Sequence, residues 1–209
     1  MRKYITEFIG TFFLVLTIGL VVIGGYQNFA PIAIGSILMT MIFAGGHISG
    51  AHYNPAVTFA VLLRGRIKIT EAVGYWIVQI LAGVAAAFVV NYLIPGEMPA
   101  AAKPMVDNVR GLVAEALGTF ALCYVVLNVA TAKGTLGNMF YGLAIGFTVL
   151  AMAYAVGAIS GGAFNPAVAV GISVMKLASW SVLWVYLVGC FGGAAIAALV
   201  FRINNPEDK

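Results

Sequence analysis

Asn54-Pro55-Ala56 and Asn165-Pro166-Ala167 repeat one tripeptide 111 residues apart, in matching frames. Ile48-Ser49-Gly50-Ala51-His52-Tyr53 precedes the first copy and Ile159-Ser160-Gly161-Gly162-Ala163-Phe164 the second. Proline at the first helical position sacrifices no hydrogen bond, because that N–H has no partner within the helix. The asparagine before it becomes the cap, a position it favours. Each short helix then carries a partial positive charge at its N-terminus. Two such ends brought together would set the Asn54 and Asn165 amides, with Pro55, Pro166, Ala56 and Ala167 around them, in a field that suits a neutral oxygen-bearing molecule and repels a cation.

Few other residues invite chemistry. Glu7 and Glu115 are carboxylates within apolar stretches, which is costly and usually marks function; a proton relay is one reading. His47 and His52 could ligate a metal or sense pH, yet no carboxylate or cysteine completes a site. His52, two residues before Asn54, is expected to line or border a pore. The glycine-rich runs from Gly45 to Gly50 and from Gly157 to Gly162 suit extended backbone whose carbonyls line that pore, Gly50 and Gly161 among them. Cys123 and Cys190 read as small buried hydrophobes, with no disulfide framework. No nucleophile–base pair, metal constellation or cofactor motif points to an enzyme.

The elements that must position these groups are membrane helices. The chain is 62% hydrophobic and only 9% charged, with a mean hydropathy of +1.02. A soluble domain carries about 25% charged residues. Six stretches approach or reach the roughly 20 residues needed to cross a bilayer: Tyr4–Gly24, Ala30–Gly46, Thr70–Leu93, Val109–Ala130, Leu136–Gly157 and Ser179–Phe201. Alternating ~10-residue strands of a membrane barrel are absent from the pattern. Two shorter stretches, Pro55–Leu63 and Pro166–Met175, follow the tripeptides and read as re-entrant half-helices.

The repeat extends beyond the tripeptides. Glu7-Phe8-Ile9-Gly10-Thr11-Phe12 matches Glu115-Ala116-Leu117-Gly118-Thr119-Phe120, Ile34-Gly35 matches Ile145-Gly146, and Ala82-Gly83 pairs with Gly192-Gly193. Small residues such as Gly83 and Gly193 suit close helix packing. Two halves follow, 1–107 and 108–209, each with three spans and a half-helix. Three is odd, so the halves insert with opposite orientation, an arrangement that places a site near the bilayer midplane.

The net charge of +4 forms no nucleic-acid-binding stripe. Arg2, Lys3, Arg64, Arg66, Lys68, Lys133, Arg202 and Lys209 fall on one side of the six-span arrangement, against Lys103, Arg110 and Lys176 on the other. The positive-inside rule then puts both termini in the cytoplasm.

The paired tripeptides, the Glu-x-x-Gly-Thr-Phe repeats and Gly46-His47-Ile48-Ser49-Gly50-Ala51-His52 resemble the aquaporin, or major intrinsic protein, family over nearly the whole chain. The resemblance implies a right-handed bundle of six helices and a homotetramer with one pore per subunit. It also implies passive conduction of water or small neutral solutes in a cell membrane, without a cofactor. Exclusion of cations by the two helix ends is an argument established for this family. Within it, Glu7 and Glu115 would accept hydrogen bonds from the loops that carry the half-helices.

The chain departs from the family at the outer aromatic/arginine filter. The arginine position, three residues after the second asparagine, is Val168. Counting by the family's spacing, the other filter positions fall at Ile34, Ala153 and Gly162. Charge, histidine and aromatic ring are lost together, which implies a wider, apolar filter. The arginine–aspartate pair of glycerol channels is also missing, since Ala169 follows Val168. The leading expectation is a channel for water, glycerol, urea, ammonia or hydrogen peroxide. Its rivals are a poorly conducting structural protein on the same scaffold and an ion-coupled transporter.

Overall fold

The computed structural model describes residues 1–95 and 107–208. Eight α-helices run in the order α1 (Arg2–Ile23), α2 (Ala30–Ser49), α3 (Pro55–Leu63), α4 (Ile69–Leu93), α5 (Asn108–Thr131), α6 (Tyr141–Ser160), α7 (Pro166–Val174) and α8 (Leu183–Asn204). Six are long and apolar enough to cross a bilayer, and α3 and α7, at nine residues each, are not. This is an all-α membrane protein of six spans and two re-entrant half-helices in an inverted 3+3 repeat.

Its surface is lipid-facing by composition. Ile5, Ile9 and Phe13 recur at four-residue spacing along α1, and Val73, Ile77 and Leu81 along α4; all are exposed. Such stripes would be buried in a soluble bundle. The interior mixes apolar side chains with many small residues, which let backbones approach. A Cβ at Gly193 would press on the Ala116 carbonyl of α5, and one at Gly83 on the Ala167 carbonyl of α7, whereas Gly192 touches nothing comparable. The tyrosines Tyr75 and Tyr186, again 111 apart, bond the carbonyls of Ser49 and Ser160. That register aligns Ala82-Gly83 with Gly193-Ala194, one residue on from the pairing expected above.

Two boundaries differ from expectation for identifiable reasons. The helical pattern of the fifth span suggests a start at Leu136, but α6 begins at Tyr141. The intervening residues form a turn with Gly137 at φ 80°, held by the Asn138 amide on the carbonyls of Val129 and Thr135. The Gly45–Gly50 run is helical as far as Ser49, and its counterpart as far as Ser160. Gly45 serves packing: a Cβ there would overlap the Tyr53 hydroxyl. Between each of these spans and the half-helix that follows it, irregular backbone is thus confined to residues 50–54 and 161–165.

The face bearing both termini is tied together by Asp208. Its carboxylate accepts from Arg64 and Arg66, and from the Lys133 backbone N–H at 2.6 Å. Arg202 bonds the Leu63 carbonyl at the end of α3, and Lys3 pairs with Glu71 at 2.7 Å. These basic residues therefore share one face. Lys103 and Lys209 lie outside the described residues.

Candidate functional site

Each half-helix opens as its sequence dictates. Asn54, in extended conformation, accepts from the N–H groups of Ala56 (2.8 Å) and Val57 (3.4 Å). Asn165 does the same for Ala167 (2.9 Å) and Val168 (3.4 Å). With the oxygen spent on capping, each amide has two N–H donors left. One crosses to the other half: Asn54 Nδ2 donates to the Phe164 carbonyl at 2.8 Å, and Asn165 Nδ2 to the Tyr53 carbonyl at 2.9 Å. The second donor on each is free for a molecule in the cavity that both asparagines line.

The loops before the half-helices take a strained path. Gly50, Ala51 and Tyr53 have φ of 85°, 50° and 50°, and Gly161, Gly162 and Phe164 have 97°, 65° and 47°. Left-handed backbone costs a non-glycine residue roughly 1–2 kcal/mol, so three residues need outside support. Two buried carboxylates supply it. Glu7 Oε1 accepts from Ser49 Oγ (2.7 Å) and His52 N (2.9 Å), and Oε2 from Tyr53 N (2.7 Å) and Gln79 Nε2 (2.8 Å). Glu115 Oε1 accepts from Ser160 Oγ (2.6 Å) and Ala163 N (3.0 Å), and Oε2 from Phe164 N (2.7 Å) and Cys190 Sγ (3.7 Å). Every acceptor position faces a donor, and four of the eight donors are backbone N–H groups of the two loops.

The cavity between the half-helix ends measures about 30 Å³. At about 10–15 Å³ per water, that is room for two or three molecules in file. Its walls are apolar side chains of α1, α2, α5 and α6, one helical turn apart on each: Leu14 and Ile18, Ile34, Leu38 and Ile42, Leu122 and Val126, Ile145 and Val149. Polar groups enter only from the loops and the two asparagines. Of the sequence-selected residues, His52, Ile34, Gly162 and Val168 line it, and Ala153 does not. Ala153 lies one turn beyond Val149 on α6 and ends at Cβ, short of the void. Pro55, Ala56, Pro166 and Ala167 are buried behind the asparagines, while Gly50 and Gly161 are exposed and outside the cavity. His52 bonds Thr58 Oγ1 through Nδ1 at 3.1 Å and packs edge-on against Tyr75; His47 is exposed on α2. Both cysteines are fully buried.

Sequence reasoning missed the supports Ser49 and Ser160, Tyr75 and Tyr186, and the unlike pair Gln79 and Cys190. The signal was available: each pair stands at the same 111-residue offset as the asparagines.

The family model described as Major intrinsic protein matches residues 1–201. The chain belongs to the major intrinsic protein family. Among relatives, aquaporin NIP1-1 of Zea mays is 35% identical over the whole of this chain and 77% of its own length. The glycerol uptake facilitator protein-like 6 of Lactiplantibacillus plantarum is 35% identical over the full length of both. The aquaglyceroporin of Plasmodium falciparum shares the fold, with a TM-score of 0.78 over 99% of this chain and 97% of that one, at 18% identity. Members of this family are channels, not enzymes, and this chain is a channel protein of that family.

Proposed function

We propose that this chain is a passive pore for water and small uncharged solutes, glycerol-sized molecules included. The observation that carries the reading is the pair of opposed, capped helix ends whose asparagines each keep one donor toward a shared apolar cavity. A hydroxyl, amide or water oxygen accepts from those donors at no charge cost, whereas a cation meets two positive helix ends and apolar walls that replace none of its hydration. The aquaporin and glycerol facilitator names of its relatives agree with this class of permeant. Ile34, Gly162 and Val168 form the outer filter, apolar and without the arginine, and the short side chain of Ala153 leaves its fourth position open. Glu7 and Glu115 act as loop supports, and His52 borders the pore on the α3 side.

The two halves, 1–107 and 108–209, meet at Asp107, whose side chain caps α5 through the Arg110 N–H at 2.7 Å. The face carrying Arg64, Arg66, Lys133 and Arg202 is cytoplasmic, and both termini lie on that side of the cell membrane. The working assembly is a homotetramer with a pore in each subunit. The nearly unbroken apolar lining favours a second reading, in which dewetting makes the protein a poor conductor on the same scaffold.

Stopped-flow light scattering on proteoliposomes tests these readings. Under the first, a glycerol gradient gives re-swelling several-fold faster than in empty vesicles, without saturation and without dependence on an ion gradient. Re-swelling at the empty-vesicle rate supports the poorly conducting scaffold. Restoring charge with Val168→Arg is expected to slow glycerol entry more than water flux.

A further inference from the structure

The 111-residue offset applies to the pore wall as well as to the asparagines. It carries Ile34 to Ile145, Ile42 to Ala153, Ala51 to Gly162 and Val57 to Val168. The outer filter of Ile34, Ala153, Gly162 and Val168 therefore has an inverted image on the α3 side, formed by Ile145, Ile42, Ala51 and Val57.

Contacts between α2 and α6 set the depth of each ring. Going along α2, the Tyr154 hydroxyl bonds the Asn28 carbonyl just ahead of the helix, Gly35 abuts Leu150, Met39 abuts Gly146, and Phe43 packs edge-on against Tyr141. The helices are antiparallel, so Ile34 lies within about one turn of the level of Ala153 and Ile42 within about one turn of that of Ile145, two turns deeper toward α3.

The two rings differ in bulk at two positions. Where the outer ring has alanine and glycine, the inner one has Ile42 and Ala51. Burial follows the difference. Ile42 is 2% exposed, Val57 3%, Ile145 5% and Ala51 7%, and all four line the cavity. In the outer ring only Val168 is comparably buried; Ile34, Ala153 and Gly162 are all partly open to solvent.

We infer that the size of the permeant is set at the inner ring, with Ile42 as its principal determinant, and not at the outer position where the family's filter arginine would stand. The inference rests on the channel reading proposed above. Substituting Ile42 removes three carbons from the narrowest level, whereas widening the outer ring enlarges a passage that is already open.

The test is a series of uncharged solutes of rising size (urea, glycerol, erythritol) in proteoliposomes of wild type, Ile42→Ala, Ile145→Ala and Ile34→Ala. Helix content and monodispersity are matched before comparison. Ile42→Ala is expected to raise erythritol flux at least threefold more than Ile34→Ala does, with Ile145→Ala moving the same way as a second probe of the ring. An equal or larger gain from Ile34→Ala overturns the inference while leaving the channel reading intact. Flux that is silent in wild type but appears in Ile42→Ala supports the ring as the barrier. Silence in all four proteins overturns both.

Discussion

Replacing Glu115 by glutamine changes one atom and separates a structural carboxylate from a proton relay. The side chain sits among four donors: Ser160 Oγ and Ala163 N on one oxygen, Phe164 N and Cys190 Sγ on the other. A glutamine amide must turn its NH2 toward one of these pairs. On the first side it meets the Ala163 N–H and a serine oxygen that already accepts from Gly162 N at 3.1 Å. On the second it meets the Phe164 N–H, with only a thiol to accept from it. Either choice orphans one buried backbone donor in a loop whose Phe164 is held at φ 47°. A hydrogen bond to a charged group is worth about 1.5–3 kcal/mol. At about 2–4 °C of melting temperature per kcal/mol, the loss comes to roughly 3–12 °C. Thermal unfolding of the purified protein in detergent reads this directly, and solute flux in vesicles should fall with it, at every pH alike. A melting temperature unchanged by Glu115→Gln, together with flux whose pH dependence disappears, would refute the loop-support account in favour of a relay.

Two further predictions concern stability. Lys176 is exposed and held at φ 61°, at the position where the first half has Gly65 at φ 80°. Lys176→Gly removes a Cβ penalty of roughly 1–2 kcal/mol, part of it offset by the freedom glycine gains when unfolded, so a rise of a few degrees in thermal unfolding is expected. Asp208 has its carboxyl held below the ordinary aspartate value of 3.8, first by the Lys133 N–H and then by Arg64. A depressed carboxylate stabilises the fold above its unfolded pKa, and that stabilisation is lost as pH falls through the folded one. Melting temperature should therefore drop below about pH 4 in wild type, and Asp208→Asn should melt lower at pH 7 with a flatter acid limb.

How much was legible in the chain depended on the range of the interaction. The half-helix starts could be read from Asn54-Pro55 and Asn165-Pro166 because capping is decided within four residues. The six spans were legible because the bilayer imposes length and hydropathy on each helix separately. Gly45 and Gly46 were misread as extended backbone because their reason for being glycine lies elsewhere, in the Tyr53 and Tyr141 rings that press on them. The start of α6 was missed because a polar side chain, Asn138, holds the preceding turn through carbonyls up to nine residues away. At the candidate site, spacing located both asparagines and both glutamates. It did not show that each asparagine spends one donor on the opposite loop, since that contact joins residues 110 or more apart. Nor could spacing say that Ala153 would fall short of the cavity, which depends on how far a side chain reaches.

If solute passes between Asn54 and Asn165, a reagent attached to a cysteine in the wall must block it. Cys123 and Cys190 are fully buried and outside the cavity lining, so wild type should conduct normally in the presence of a bulky methanethiosulfonate reagent. Ile34→Cys places a thiol on the partly open outer level of the same cavity. Stoichiometric labelling of Ile34→Cys is expected to cut glycerol re-swelling at least fivefold, restored by reduction, because the adduct fills a space of only about 30 Å³. Undiminished flux through fully labelled protein would mean that solute takes another path.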